Sequence, residues 1–237
     1  MTDAITASIS RQSGLLKELS VIANNVANAS TDGFRREAAI FAEYVSGRTG
    51  ASSLSMGALR AHAPDLTPGS FQQTGGTLDL AIEGEGWFAV ERDGEMFLTR
   101  AGHFQTNDEG QIVNADGAML LDDGGGAIFI PPGAQDIAFG RDGTLSVDGQ
   151  GLAQVGVFLS DPLDMQRVGG NLWRTDGALQ VSETPSLRQG FIEASNVSPV
   201  IEMARMIEVQ RAYEAGATIQ TNEDERVRSL IDALNRN

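Results

Sequence analysis

The sequence predicts an α+β chain, with a long helix at each end and an antiparallel all-β module between them. Three observations carry this prediction. Apolar residues recur every three or four positions at both termini. Between Thr77 and about Pro162 the period drops to two, in short runs punctuated by Asp-Gly. The stretches joining these regions are rich in Gly, Ser and Thr and only weakly periodic. The implied organisation is a helical part, residues 1–30 plus 199–237, an extended connector region, residues 31–76 and 163–198, and a β-rich part, residues 77–162.

At the N-terminus, Ile5, Ile9, Gln12, Leu16, Leu19, Ala23 and Val26 follow one another at alternating intervals of 4 and 3. That is a seven-residue repeat of the kind used where helices pack along one seam. At the C-terminus, Met203, Met206, Gln210, Tyr213, Ala217, Gln220, Asp224, Val227, Ile231 and Leu234 alternate intervals of 3 and 4. Ser198-Pro199 marks the start of this helix, with Ser as cap and Pro at the first helical position. Glu202 in the first turn complements the helix dipole. Both seams include Gln and Ala, so two such helices alone form a marginal pair. The natural partners of each helix are the other one and further copies. Their folding is expected to wait for those partners.

The middle of the chain reads as roughly eight to ten short strands. Runs such as Trp87–Glu91 and Met96–Thr99 are separated by Asp93-Gly94, and Glu109-Gly110, Asp116-Gly117 and Asp142-Gly143 mark further turns. Gly supplies the positive φ that tight hairpins require.

Composition removes several function classes. The 237 residues hold 17 basic and 32 acidic side chains, a net charge of −15 that disfavours nucleic acid and anionic membranes as partners. The absence of cysteine excludes disulfides, thiolate metal sites and Cys nucleophiles. No apolar window is long enough to span a membrane as a helix, so direct membrane insertion is not expected. The opening MTDAITASISRQSG has neither a basic start nor an apolar core, so no cleavable signal peptide is expected.

Chemistry is thinly represented. His62 and His103 share no metal-ligand spacing, and no nucleophile elbow, phosphate loop or His-Glu-x-x-His helix occurs. Asp79, Glu83 and Glu85, with Asp108, Glu109 and Asp116, are the residues a carboxylate enzyme or a Ca²⁺-binding module would use. They sit beside glycines at turns, where acids are expected on structural grounds. No cofactor, metal site or catalytic residue is assigned, and enzymatic activity is not expected.

The segment 24-NNVANASTDGFRRE-37 interrupts the N-terminal helical pattern with repeated Asn, then Ser-Thr-Asp-Gly, then an aromatic and two arginines. The block from Ala23 to Arg36 closely resembles the N-terminal signature of bacterial flagellar axial proteins. DLTPGSFQQTGGTLDLAIEGEGWFAVE, LTRAGHFQTNDEGQIVNADGAMLL and GFIEASNVSPVIEMARMIEVQRAYEAGATIQTNEDE resemble other blocks of that family. The matching residues of the signature are Asn24, Asn25, Asn28, Thr31, Gly33, Phe34 and Arg36. The length and the C-terminal block look more like proximal-rod than distal-rod members.

This resemblance implies a structural rod protein whose terminal helices pair antiparallel and line a helical assembly. The apolar stripes would be its assembly interfaces. Partners would be other rod proteins, copies of itself and, during secretion, the flagellar export apparatus. Export without a cleavable signal would lead to the basal body in the periplasm. The distal-rod role is the alternative. On the residues themselves, the asparagines fit a helix end, because Asn bonds freed backbone groups and tolerates left-handed geometry. Gly33 permits a sharp turn, Phe34 can anchor the departing chain, and Arg35 and Arg36 can meet acidic neighbours.

Overall fold

The computed structural model describes residues 2–46 and 54–235. The chain is α+β, with two long helices and mostly antiparallel sheets. It divides into two compact units. One comprises Met1–Val26, Glu37–His62 and Ser198–Asn237; the other comprises Ala27–Arg36 and Ala63–Val197.

The first unit contains α1 (Thr2–Ala27), the paired strands β1 (Glu37–Ser46) and β2 (Leu54–Pro64), and α2 (Pro199–Asn235). At 37 residues, α2 is about 55 Å long at 1.5 Å per residue. It starts where Ser198-Pro199 predicts: the Ser198 carbonyl accepts from the Glu202 amide at 3.0 Å. The stretch 31–76, read from sequence as an extended connector, holds two long strands. EAAIFAEYVS carries the Ile, Phe, Tyr and Val that favour a pleated backbone, a local signal outweighed in the sequence reading by the Gly/Ser-rich residues that follow. Those residues, 47–53, lie outside the described residues.

The second unit opens with β3 (Phe71–Gln73), β4 (Leu80–Ile82), β5 (Trp87–Arg92) and β6 (Glu95–Thr99). Then come β7 (Phe104–Thr106), β8 (Ile112–Asn114), β9 (Met119–Leu120), β10 (Ile137–Phe139), β11 (Thr144–Val147) and β12 (Gln150–Gln154). It closes with β13 (Val157–Leu159), β14 (Met165–Gly169), β15 (Leu172–Thr175), β16 (Gln180–Val181), β17 (Leu187–Gln189) and β18 (Phe191–Glu193). The largest sheet runs β14-β15-β6-β5-β9-β8-β7, with β13 bridging β5 and β16; β10-β11-β12 form a second sheet. Strand β17 pairs with β4 and β18 with β3, so the end of this unit returns antiparallel to its beginning.

β-Structure therefore does not stop near residue 162. The stretch 163–198, read as connector, supplies five strands, β14 to β18. Each is too short to show a period; β14 pairs with its neighbour β15, and the other four are specified by more distant partners, such as Trp173 opposite Leu98. Long-range pairing of this kind leaves little trace in local sequence.

Strand β5 shows where the core lies. Trp87, Phe88, Ala89 and Val90 are all buried, because both faces of this strand are covered. Phe88 and Val90 join one apolar cluster with Leu80, Phe104, Ile112 and Leu145; Trp87 and Ala89 join a second with Leu98 and Trp173. Phe88 meets Phe104 edge to face at 5.5 Å, the arrangement favoured by ring quadrupoles. The β5–β6 hairpin turns on Asp93 (φ 56°) and Gly94 (φ 79°), two successive left-handed residues as a type I′ turn demands.

Candidate functional site: the signature segment and the helix faces

The signature is divided between the two units, and its halves do different work. In the first unit, Asn25 is buried and does not cap its own helix. Its carboxamide pairs with the start of β1, donating to the Glu37 carbonyl at 3.0 Å and accepting from the Glu37 amide at 3.0 Å. The same Nδ2 lies 3.3 Å from a carboxylate oxygen of Glu202 in the first turn of α2. Asn25 thus joins α1, β1 and α2. Asn24 is exposed.

In the second unit, α1 has given way to a turn. The Thr31 amide donates to the Asn28 carbonyl at 3.1 Å, and the Thr31 hydroxyl to the Asn28 side chain at 3.2 Å. Gly33 follows at φ 64°, and a Cβ there would sit 2.0 Å from the Ala101 nitrogen, so no other residue fits. The Gly33 amide donates to the Glu193 carbonyl at 2.6 Å. Asp32 is half-buried; desolvation pushes its carboxyl above the usual range, against the pull of His103 and with added push from Asp79.

Phe34 is fully buried, and the guanidinium of Arg167 covers its ring at 4.2 Å. The same guanidinium lies 4.1 Å over Trp173 and donates to the Arg35 carbonyl at 2.5 Å. The anchor for Phe34 is thus a cation between two aromatic faces rather than a purely apolar pocket.

Arg35 enters a buried ion cluster. Its Nη2 is 2.7 Å from Glu193 Oε1, and Arg100 Nη1 is 3.1 Å from Glu193 Oε2. Arg35 also donates to the carbonyls of Leu66 and Thr67, and Arg100 to those of Ile82 at 3.1 Å and Gly84 at 2.6 Å. Burial lowers the affinity of both guanidiniums for their protons, with Glu193 opposing the shift; Arg100, further pressed by Arg35, is lowered to about 10. Glu193 Oε1 accepts from the Gly69 amide at 2.9 Å. Asn196 completes the arrangement, accepting from the Arg36 amide at 2.6 Å and donating to the Asp65 and Thr67 carbonyls at 3.1 and 2.8 Å. Arg36 itself is half-buried, 3.8 Å from Asp65.

Sequence reasoning therefore chose Arg36 as the signature arginine, whereas Arg35 is the buried one. It missed Glu193, Arg100, Asn196 and Arg167 altogether. A signal existed for three of them: Arg100 stands in LTRAGHFQ, and Glu193 and Asn196 in GFIEASNVSP, blocks singled out only for their resemblance.

The helix stripes are placed differently from a closed two-helix seam. On α1, Ile9 and Leu16 are 57% and 50% exposed and Ala23 is exposed, while Gln12, Leu19 and Val26 are half-buried. The buried face is another one: Gly14, Glu18, Val21, Ile22 and Asn25. On α2, Met203, Gln210 and Ile231 are exposed, and Met206, Tyr213, Ala217 and Gln220 are half-buried; Glu202 and Val209 are buried. The side chains of Ile5, Asp224, Val227 and Leu234 lie outside the described residues. Val200, Ile201 and Ile207 add to the exposed apolar surface of α2.

The carboxylates are dispersed. Asp79 is buried, accepts from the Thr74 hydroxyl at 2.5 Å and lies 2.7 Å from the exposed His103, which it meets in an isolated bridge. Glu83 and Glu85 are exposed on a turn with Gly84 and Gly86 at positive φ. Among the described residues no three His, Cys, Asp or Glu side chains gather as a metal would need, and no helix is long and apolar enough to cross a membrane.

Residues 5–35 match a family model described as flagella basal body rod protein, residues 81–147 the flagellar hook protein FlgE/F/G D1 domain, and residues 188–233 the flagellar basal body rod FlgEFG protein C-terminal. The chain is 39% identical to the flagellar basal-body rod protein FlgF of Caulobacter vibrioides, over 100% of this chain and 99% of that protein. It is 35% identical to FlgF of Mesorhizobium japonicum, over 97% and 98%, and 31% identical to the rod protein FlgG of Bacillus subtilis, over 98% and 99%. The chain belongs to the flagellar basal-body rod protein family.

Proposed function

We propose that this chain is a structural subunit of the flagellar basal-body rod, of the proximal type, with no enzymatic role. It joins other rod proteins and copies of itself through the terminal helices, and the assembly passes torque from motor to hook. The observation that carries the reading is the apolar surface left open on α1 and α2 of the first unit, at Ile9, Leu16, Val200, Ile201, Met203 and Ile207. Six large apolar side chains exposed on two helices are unusual for a subunit that acts alone, and mark a face that neighbours cover. The antiparallel pairing of α1 with α2 within one subunit is part of this proposal.

Secretion through the flagellar export apparatus and residence in the periplasm follow from the same reading. The 39% and 35% identities to two FlgF proteins, above the 31% to FlgG of Bacillus subtilis, support the proximal position. The test is complementation of non-motile strains lacking either rod gene. The expected result is restored swimming in the strain lacking the proximal subunit, and loss of that rescue on Ile9→Asp with Leu16→Asp. Rescue of the other strain alone would assign the chain to the distal rod.

A further inference from the structure

Polar contacts join α1 to α2, beside the apolar stripes that both helices carry. Glu18 Oε1 receives two bonds from Arg205, at 3.1 Å from Nε and 2.9 Å from Nη2. Asn25 reaches Glu202 at 3.3 Å. A Cβ added at Gly216 would lie 3.5 Å from Gln12 Nε2 and 3.7 Å from its Cγ. As the α1 number rises from 12 to 18 to 25, its α2 partner falls from 216 to 205 to 202. Glu18, Asn25 and Glu202 are all at least nine-tenths buried.

We propose that Glu18, Asn25, Glu202 and Arg205 are specificity-determining residues that fix the register of α1 on α2. The apolar residues cannot do this, because a stripe repeating every seven positions offers nearly equivalent packings one heptad apart. A shift of seven along α2 would set Glu18 against Ala212 and Asn25 against Val209. Glu18 would then lose Arg205, and Asn25 its bond to Glu202 while keeping those to Glu37, which leaves a buried carboxylate without its cation, a costly state. The polar contacts thus single out one pairing and keep Ile9, Leu16, Met203 and Ile207 on the outside. That last consequence rests on the proposed rod role; the register itself does not.

The chain has no cysteine, so introduced pairs report cleanly. In the purified full-length protein, Gln12→Cys with Gly216→Cys should close an intramolecular disulfide in a glutathione buffer, and Leu19→Cys with Gly216→Cys, one heptad away, should not. Either Glu18→Arg or Arg205→Glu alone should lower the in-register yield about two- to fivefold, the range of a partly exposed ion pair, and the two together should restore it. Asn25→Leu with Glu202→Leu should raise the off-register product. The proposal is overturned if the in-register pair fails to close, if the swapped pair does not rescue, or if the leucine variant leaves both yields unchanged. None of these readouts uses motility, so a failed rod assignment would show only in the complementation test.

Discussion

The two units of this chain differ in what they bury and in where they leave apolar side chains exposed. In the second unit β5 is covered on both faces by apolar clusters, and Glu193 sits buried between Arg35 and Arg100, while Leu66, Phe129, Leu152 and Leu163 are exposed at separate places on strands and loops. The first unit buries a glutamate pair and an asparagine along its helices and leaves Ile9, Leu16 and Ile207 in solvent. The exposed apolar side chains of the second unit are scattered over strands and loops, whereas those of the first lie along two helices, where the proposed neighbours would cover them.

The contrast is sharpest where a buried charge loses its partner. Glu193→Ala leaves two guanidiniums uncompensated, and should cost the second unit about 3–5 kcal/mol in denaturant unfolding. Phe34→Ala removes a fully buried ring from beneath Arg167 and should cost about 3 kcal/mol, detected in the same melt. Both belong to the signature's surroundings, and a large loss in helix content without loss of the β-sheet signal would break the comparison.

Substitutions on the open helix faces should be nearly silent in the isolated subunit. Ile9→Asp or Ile207→Asp should change its stability by no more than about 0.5 kcal/mol, as exposed positions do, while preventing assembly in cells. Amide exchange sharpens the same point: residues 87–99 should be protected for far longer than 9–25 and 200–220. Equal protection would mean that the helices are already complete.

The smallest effect concerns a turn. The hydrogen bonds from the Thr144 amide and hydroxyl to Asp142, at 3.1 and 2.8 Å, hold its carboxyl below the usual carboxylate range. A folded-state pKa below the unfolded one contributes stability that is present above the unfolded value and lost as pH falls through the folded one. Stability should therefore decline slightly through that acid window, and Asp142→Asn should flatten the decline.

Much of this was readable from sequence where the determinants are local. The two helices, the start at Ser198-Pro199 and the Asp93-Gly94 hairpin each follow from neighbouring residues. The signature was legible as a resemblance, but its division of labour was not. Asn25 looked like a cap and is instead a joint between α1, β1 and α2; Arg35 looked interchangeable with Arg36 and is the one withdrawn from water. Both assignments depend on Glu202, Glu193 and Arg100, far away in sequence. The strands β15 to β18 escaped for the same reason, and β14, which pairs with β15, escaped with them. The heptad stripes were found, but spacing alone could not tell which face each helix spends within the subunit.

The Arg36–Asn196 bond spans 160 residues of chain, and the Arg35–Glu193 pair beside it joins nearly the same two segments. Closing so large a loop returns nothing until both ends have arrived, so contacts of this separation slow folding rather than weaken the folded state. The most deeply buried charges of the second unit are thus satisfied only when distant parts of the chain meet. A newly made chain lacks both contacts until its C-terminal third has been synthesised, and the second unit cannot be complete before then.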